Sequence, residues 1–272
     1  MSKLYVVGTP IGNLNDFSPR AVEVLETVDF IAAEDTRVTM KLLNHFDIKK
    51  EMVSYFEHNK RERGEYICSR IANGEMCAIV TDAGMPAISD PGEDLVRLCH
   101  ERNIPVESVP GPTAFATALA ISGMNSGRFT FEGFLSVSKK SRREHLEELK
   151  DEKRTMIFYE APHKLSNTLK DLYCAFGDRE LAIVRELTKI HEQVIKTTLK
   201  EACDTYADNS LKGEIVLIIE GKPKTPESEI TLADAVERAK ALVDKGMSVN
   251  NASKEVASQT PFKKNDIYKA LI

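Results

Sequence analysis

Four short strand-like segments in this chain each stop in a turn rich in glycine and proline: LYVV runs into GTPIGN, CAIV into TDAGMPAISDPG, VESV into PGPTA, and TMIFY into EAPHK. In open α/β sheets the ligand crevice lies where the carboxyl ends of parallel strands meet, and turns that expose backbone gather there. Several such turns in one chain therefore predict a small-molecule site at one edge of a sheet.

The runs belong to a longer alternation. Strands are expected over Leu4 to Val7, Phe30 to Ala33, Met52 to Tyr55, Cys77 to Val80 and Val106 to Val109. A second set is expected over Phe129 to Phe134, Thr155 to Tyr159, Leu181 to Val184 and Glu214 to Ile219, with helices at 140–152, 163–176 and 199–207. Ser18 and Pro19 read as the N-cap and first residue of another helix. This βαβα order predicts an α/β fold with largely parallel sheets. Ser122-Gly123, followed by Asn125, Ser126 and Gly127, reads as a helix stop and linker, which divides the chain into α/β domains at 1–122 and 123–222.

After Gly221 the run KPKTPESE reads as a second linker, and residues 226–272 as a small domain of three helices turning at Gln259, Thr260 and Pro261. Three short helices in that span resemble a helix-turn-helix module. Its seven basic residues, Arg238, Lys240, Lys245, Lys254, Lys263, Lys264 and Lys269, are matched by as many acids. Charge thus leaves two readings open, a cap on the preceding domain or a nucleic-acid contact.

Composition narrows the function. With 37 basic and 42 acidic residues the net charge is −5, which argues against a protein that coats nucleic acid non-specifically, since that affinity needs many lysine and arginine contacts to phosphate. A local basic patch stays compatible with it. No stretch reaches the roughly 18 apolar residues of a membrane helix. The start of the chain has neither the apolar core nor the cleavage site of a secretion signal, so a cytoplasmic protein is expected. Cys68, Cys77, Cys99, Cys174 and Cys203 are dispersed, without a CxxC pair, and are expected to be reduced and mostly buried.

Elimination then bears on the ligand. GTPIGN is neither GxGxxG nor a phosphate loop ending in GK[ST], and the other turns pair no lysine with serine or threonine to hold a phosphate and magnesium. GxSxG and HExxH are absent, and the six histidines never fall in metal-ligand spacing, so no metal site is expected. A phosphate-free ligand with an adenine, a ribose and an amino acid, held by backbone groups and one or two carboxylates, suits such turns. S-adenosylmethionine fits that description. Three charged clusters carry two readings each. Glu34, Asp35 and Arg37 in AAEDTR either cap a helix or enter the crevice, and RELTK at 185–189 with Glu192 forms either an ion pair or part of the site. KKSRR at 139–143 is either a solvated helix face or a phosphate contact.

Taken together, LYVVGTPIGNLNDFSPRAVEVLETVDFIAAEDTR, TDAGMPAISDPG, PGPTA, FEGFL, RELTK and GEIVLIIEG resemble the bacterial family of 16S rRNA cytidine 2'-O-methyltransferases. That family lies within the tetrapyrrole-methylase, or class III, S-adenosylmethionine-dependent fold. The resemblance spans most of residues 3–222, and the helical tail is similar to the family's C-terminal domain. It implies two α/β domains with the cofactor S-adenosylmethionine in the cleft between them, a homodimer, and as substrate a cytidine ribose in the decoding region of 16S rRNA, within the small ribosomal subunit. It also implies cofactor contacts from Ile11 in GTPIGN, from Asp82, Ala83 and Gly84 in DAGMP, and from Thr113 and Ala114 in PGPTA. Glu160 and Ala161 in YEAP, Leu187 and Thr188 in RELTK, and Ile215 in GEIV would complete the set. One departure stands in FEGFLSVSKKSRR, where Ser136 follows the FL pair and the family often has proline.

Methyl transfer to a 2'-hydroxyl needs alignment and a destination for one proton. Asp35, Glu186 and Lys189 are the candidate acceptors, and a mechanism driven by alignment alone is the alternative. Arg37, Lys139, Lys140, Arg142, Arg143 and Arg185 are the candidate RNA contacts. Two competing functions are a C-methyltransferase acting on a tetrapyrrole-type small molecule and a non-catalytic ribosome-binding protein.

Overall fold

A computed structural model of the chain describes residues 2–207, 211–223 and 231–272. It forms two compact units, Met1–Lys222 and Pro223–Ile272. Most of the expected linker, residues 224–230, lies outside the described residues.

The first half of the larger unit alternates strictly: β1 (Leu4–Val7), α1 (Pro19–Thr27), β2 (Phe30–Ala33), α2 (Thr36–His45), β3 (Glu51–Ser54), α3 (Lys60–Ala72), β4 (Cys77–Val80), α4 (Gly92–Glu101), β5 (Val106–Val109) and α5 (Ala114–Ser122). Its strands lie in the order β3-β2-β4-β1-β5 and every pairing is parallel. Helices cover both faces, so β2 and β4 are buried along their whole length and read as unbroken apolar runs. Alternate residues serve opposite cores: Phe30, Ala32, Cys77 and Ile79 pack with α3 and α4, while Ile31, Ala33, Ala78 and Val80 pack with α1 and α2. Ser18 caps α1 as expected, accepting from the Ala21 amide at 3.1 Å with Pro19 in the first turn.

The second half contains β6 (Phe129–Phe134), α6 (Lys139–Glu148), β7 (Thr155–Glu160), α7 (Leu165–Phe176), β8 (Glu180–Arg185), β9 (Gln193–Thr198), α8 (Leu199–Thr205) and β10 (Ile215–Ile219). Here the expectation of a largely parallel sheet fails. The order is β6-β7-β10-β8-β9, and only β6 and β7 run parallel. β9, an unexpected strand, forms a hairpin with β8 at the sheet edge. Its QVIKTT pattern leaves no residue fully buried, so no apolar run announces it.

Helix α5, which ends at Ser122, packs across the two halves. Its sequence AFATALAIS is apolar nearly all round, and a helix without a polar face must be covered on several sides. Ala118 and Leu119 pack on Ile157, Ala182, Val184, Val216 and Ile218 of the second sheet. The last helix of the first half is thereby part of the core of the second, and the two sheets share one compact unit. Burial of each leucine, isoleucine or valine side chain in this packing stabilises by roughly 1.5–3 kcal/mol.

The smaller unit is α9 (Leu232–Asp244), α10 (Val249–Gln259) and α11 (Lys264–Leu271) around Ala235, Ala239, Ala252, Val256 and Ile267. Thr231 and Asp234 form a reciprocal capping box at its entry, and Gly246 follows α9 at φ +95°. Three of the five cysteines, Cys68, Cys77 and Cys99, are buried; Cys203 is half-buried and Cys174 exposed, and all are free. Among the described residues no helix is long and apolar enough to cross a membrane, and no group of three or more His, Cys, Asp or Glu is placed to hold a metal ion.

Candidate active site

The carboxyl ends of β1, β2, β4 and β5 face those of β7 and β8 across a cavity of about 400 Å³. Backbone contacts fix its floor. Thr9 and Gly84 form a two-way bridge at 2.9 and 3.2 Å, joining the turns after β1 and β4. The buried Thr9 hydroxyl reinforces it by donating to the Thr81 carbonyl at 3.2 Å. Behind it the turns after β1 and β5 cross so closely that a Cβ on Gly8 would stand 2.6 Å from the Gly111 Cα, so neither position has room for a side chain.

Two loops close the sides, and each holds non-glycine residues in the left-handed region. Ala87 and Ser89 (φ 67° and 68°) lie in the DAGMPAISDPG loop, and Glu186 and Thr188 (φ 52° and 64°) in the RELTK loop. Such backbone is strained and persists only where neighbours hold it, which occurs most often at ligand sites. Asp90 holds the first loop by accepting from the Ala87 and Gly92 amides at 3.0 and 2.8 Å. The halves interlock here: a Cβ on Gly12 would meet the Leu187 carbonyl at 2.8 Å, and one on Gly133, at the bulge of β6, would meet the Ser89 hydroxyl at 3.3 Å.

Nine residues expected at the cofactor line this cavity: Ile11, Ala83, Gly84, Thr113, Ala114, Glu160, Ala161, Leu187 and Ile215. Asp82 and Thr188 do not. Asp82 accepts from the Asp35 amide at 3.1 Å, and the Thr188 hydroxyl is buried without a hydrogen-bond partner. Glu34, one of the charged residues of AAEDTR with two readings, lines the cavity, and so do Ser89, Asp90, Phe134, Tyr159 and Glu214, none of them expected as a contact. All six sit inside segments the sequence had marked, but which neighbour in a turn faces inward depends on the turn's dihedral angles. Tyr159 receives the Phe115 amide at 3.1 Å and packs edge-on against Phe131 and Phe134.

The cavity is acidic. Glu34 accepts the Thr81 hydroxyl at 2.5 Å, and Glu160, only 5% exposed, accepts the Ala161 amide at 2.7 Å and the Thr168 hydroxyl. Desolvation holds Asp90 above the usual carboxylate range, and desolvation followed by the charges of Glu34 and Asp35 does the same to Asp82.

The three candidate proton acceptors stand outside the cavity lining. Asp35 caps α2 and forms a forked pair with Arg37, whose hydrogen bonds pull its carboxyl down to about 2. Glu186 is lowered by Lys189, which bonds it at 3.0 Å and Glu214 at 3.2 Å. Burial lowers Lys189, but these two carboxylates outweigh it and the net shift is upward. All three are thus held in their ionised forms at neutral pH, and none lines the cavity.

The candidate RNA contacts also divide. Lys139 and Arg143 are exposed without a partner among the described residues, and Lys140 stands 3.9 Å from Glu144. Arg142 instead turns inward onto Asp171 and Thr168. Arg185 donates to the Lys212 carbonyl and Gln193, and Arg37 is engaged by Asp35 although its side chain is 87% exposed. In place of the family's frequent proline, Ser136 accepts from the Ser138 amide at 3.1 Å and leads into α6.

The family model of tetrapyrrole (corrin/porphyrin) methylases matches residues 3–203, which carry both sheets apart from β10. The chain belongs to the tetrapyrrole methylase family. Within that family it is 46% identical over 274 residues to a ribosomal RNA small subunit methyltransferase I from Synechocystis, covering 98% of this chain and 96% of the relative. A relative of the same description from Thermotoga maritima is 46% identical over 222 residues, which is 82% of this chain and all of that protein. The tetrapyrrole methylase architecture also appears in the structure of a uroporphyrin-III C-methyltransferase from Thermus thermophilus complexed with S-adenyl homocysteine. That chain has a TM-score of 0.56 and 16% identity, with 80% of this chain and 97% of that one covered.

Proposed function

We propose that this protein is an S-adenosylmethionine-dependent methyltransferase of small-subunit rRNA, acting on the 2'-hydroxyl of a cytidine in the decoding region of 16S rRNA. The observation that carries the reading is the near full-length, 46% identity to a ribosomal RNA small subunit methyltransferase I. The cavity supports it independently: backbone groups of three crossing turns and buried carboxylates, with no cluster of lysine and hydroxyl side chains for a phosphate, suit a cationic phosphate-free nucleoside. The proposal includes a cytoplasmic homodimer that recognises the RNA within the assembled subunit.

Bound S-adenosylmethionine supplies an electrophilic methyl group on a sulfonium. The chain's own residues supply position. Ile11, Leu187 and Ile215 form an apolar wall that excludes water, while Glu34 and Glu160 offer acceptor oxygens already fixed by Thr81, Thr168 and the Ala161 amide. Fixed groups need no rearrangement as the ribose oxygen aligns, and such alignment is worth several orders of magnitude in rate. Asp35, Glu186 and Lys189 are weak proton acceptors for the reasons of charge pairing given above. Asp90, which lines the cavity and is raised by desolvation, is a stronger acceptor than Asp35. Lys139, Lys140 and Arg143 at the start of α6 are the remaining candidates for phosphate contact, together with the exposed head of Arg37.

Incubating the protein with methyl-labelled S-adenosylmethionine and undermethylated 30S subunits is expected to label the rRNA at a cytidine ribose. Label entering only a precorrin offered in parallel would establish the small-molecule reading instead. Absence of any cofactor binding would favour a non-catalytic ribosome-binding protein.

A further inference from the structure

Arg142 lies in the KKSRR segment, yet its guanidinium leaves the surface, and where it goes connects α6 to the cavity. Its Nε donates to Asp171 Oδ2 at 2.6 Å and its Nη2 to Thr168 Oγ1 at 2.9 Å, both acceptors being one turn apart on α7. Thr168, 1% exposed, in turn donates to Oε2 of Glu160 at the end of β7. Glu160 lines the cavity, whereas Thr168 and Arg142 do not.

The direction of this relay follows from chemistry. A guanidinium only donates, so the Thr168 oxygen must accept from Arg142, and its single hydrogen is left for the carboxylate. Glu160 then receives one donor on each oxygen, the Ala161 amide on Oε1 and the hydroxyl on Oε2. A buried carboxylate without such donors is costly and finds another rotamer or a proton. With them, Glu160 lines the cavity with acceptor capacity to spare, since a carboxylate oxygen can accept more than one hydrogen bond.

We propose that Thr168, oriented by Arg142, is a positioning residue that holds Glu160 ready to accept a hydrogen bond from S-adenosylmethionine. This rests on the methyltransferase reading above. It also reassigns Arg142 from RNA contact to support of the cofactor site.

The test is calorimetric titration of the full-length protein with S-adenosylmethionine, alongside steady-state kinetics on 30S subunits, for wild type and Thr168→Val, Thr168→Ser and Arg142→Met, with thermal melting of each. A hydrogen bond to a buried charge predicts that Thr168→Val weakens cofactor affinity about tenfold or more. KM for the cofactor should rise in step while kcat at saturation stays close to wild type, the pattern of an interaction made equally in ground and transition states. Thr168→Ser, which keeps the hydroxyl, should bind like wild type, and Arg142→Met should lose about threefold, because the hydroxyl is retained without its guide. Wild-type affinity in Thr168→Val, or equal weakening in Thr168→Ser, would overturn the proposal. Should Thr168→Val fail to fold, wild-type affinity in Arg142→Met overturns it alone. A wild-type protein that binds no cofactor would bring down the methyltransferase reading itself, an outcome distinct from binding that is indifferent to Thr168.

Discussion

Gly8 and Gly111 bring two backbones of the first half into direct contact, whereas Gly213 in the second half faces the side chain of Glu186. The same contrast runs through the cavity. Its first wall is main chain crossing main chain, bridged between Thr9 and Gly84; its second is made of side chains held by other side chains, as Arg142, Thr168 and Glu160 are. Backbone walls tolerate little change because nothing in them can rotate away. Side-chain walls adjust, and their precision depends on completed hydrogen bonds.

Substitutions on the two walls should separate accordingly. The largest effect is expected from Gly111→Ala, whose new Cβ would meet Gly8 backbone atoms at 2.8 Å. Overpacking against atoms that cannot yield should cost about 3 kcal/mol, seen as a lower urea midpoint, and should abolish cofactor binding. A loss as small as that of Gly213→Ala would break the contrast between walls. For Gly213→Ala the obstacle is the Glu186 side chain from Cγ outward, which can rotate away once its bonds to Lys189 and the Glu214 amide are given up, leaving mainly the strain of φ +90°, about 1–2 kcal/mol. Asp90→Ala is expected to cost about 1 kcal/mol by releasing the Ala87 and Gly92 amides, and to weaken cofactor binding more than it lowers the melting temperature.

The smallest effect concerns pH. Asp35 is depressed to about 2 by Arg37, so its contribution is complete above the unfolded value near 3.9 and is lost as pH falls through 2. Arg37→Leu should therefore flatten the acid limb of the stability curve between pH 4 and 2 and leave the cofactor affinity unchanged at pH 7. A fall in that affinity would bring the Asp35–Arg37 pair back into the site.

The contrast between halves is also one of legibility. Four strands of the first sheet, β1, β2, β4 and β5, have the bounds read from the sequence: β2 and β4, covered on both faces, are continuous apolar runs, and all four stop at turn residues. β9 and the antiparallel course of β8 and β10 were not readable, since direction and pairing are set by where a chain returns. Nine of the expected contacts line the cavity. Asp82 and Glu34 illustrate the limit: both lie in marked turns, yet Asp82 is spent on the Asp35 amide while Glu34 faces the cavity. Arg142 and Arg143 are adjacent and chemically identical, but on a helix neighbours point about 100° apart, and only one reaches α7.

By itself the sequence determined the alternation of strand and helix, the turns that border the cavity, the capped helices of the tail and the absence of phosphate-loop or zinc-protease motifs, because periodicity and turn chemistry are local. Tertiary structure alone decided that α5 belongs to the second core, that the second sheet is mixed, and which charged groups pair with one another and which face the cavity. Those outcomes depend on contacts between residues far apart in the chain, and a side chain's role is fixed only when its neighbours in space are.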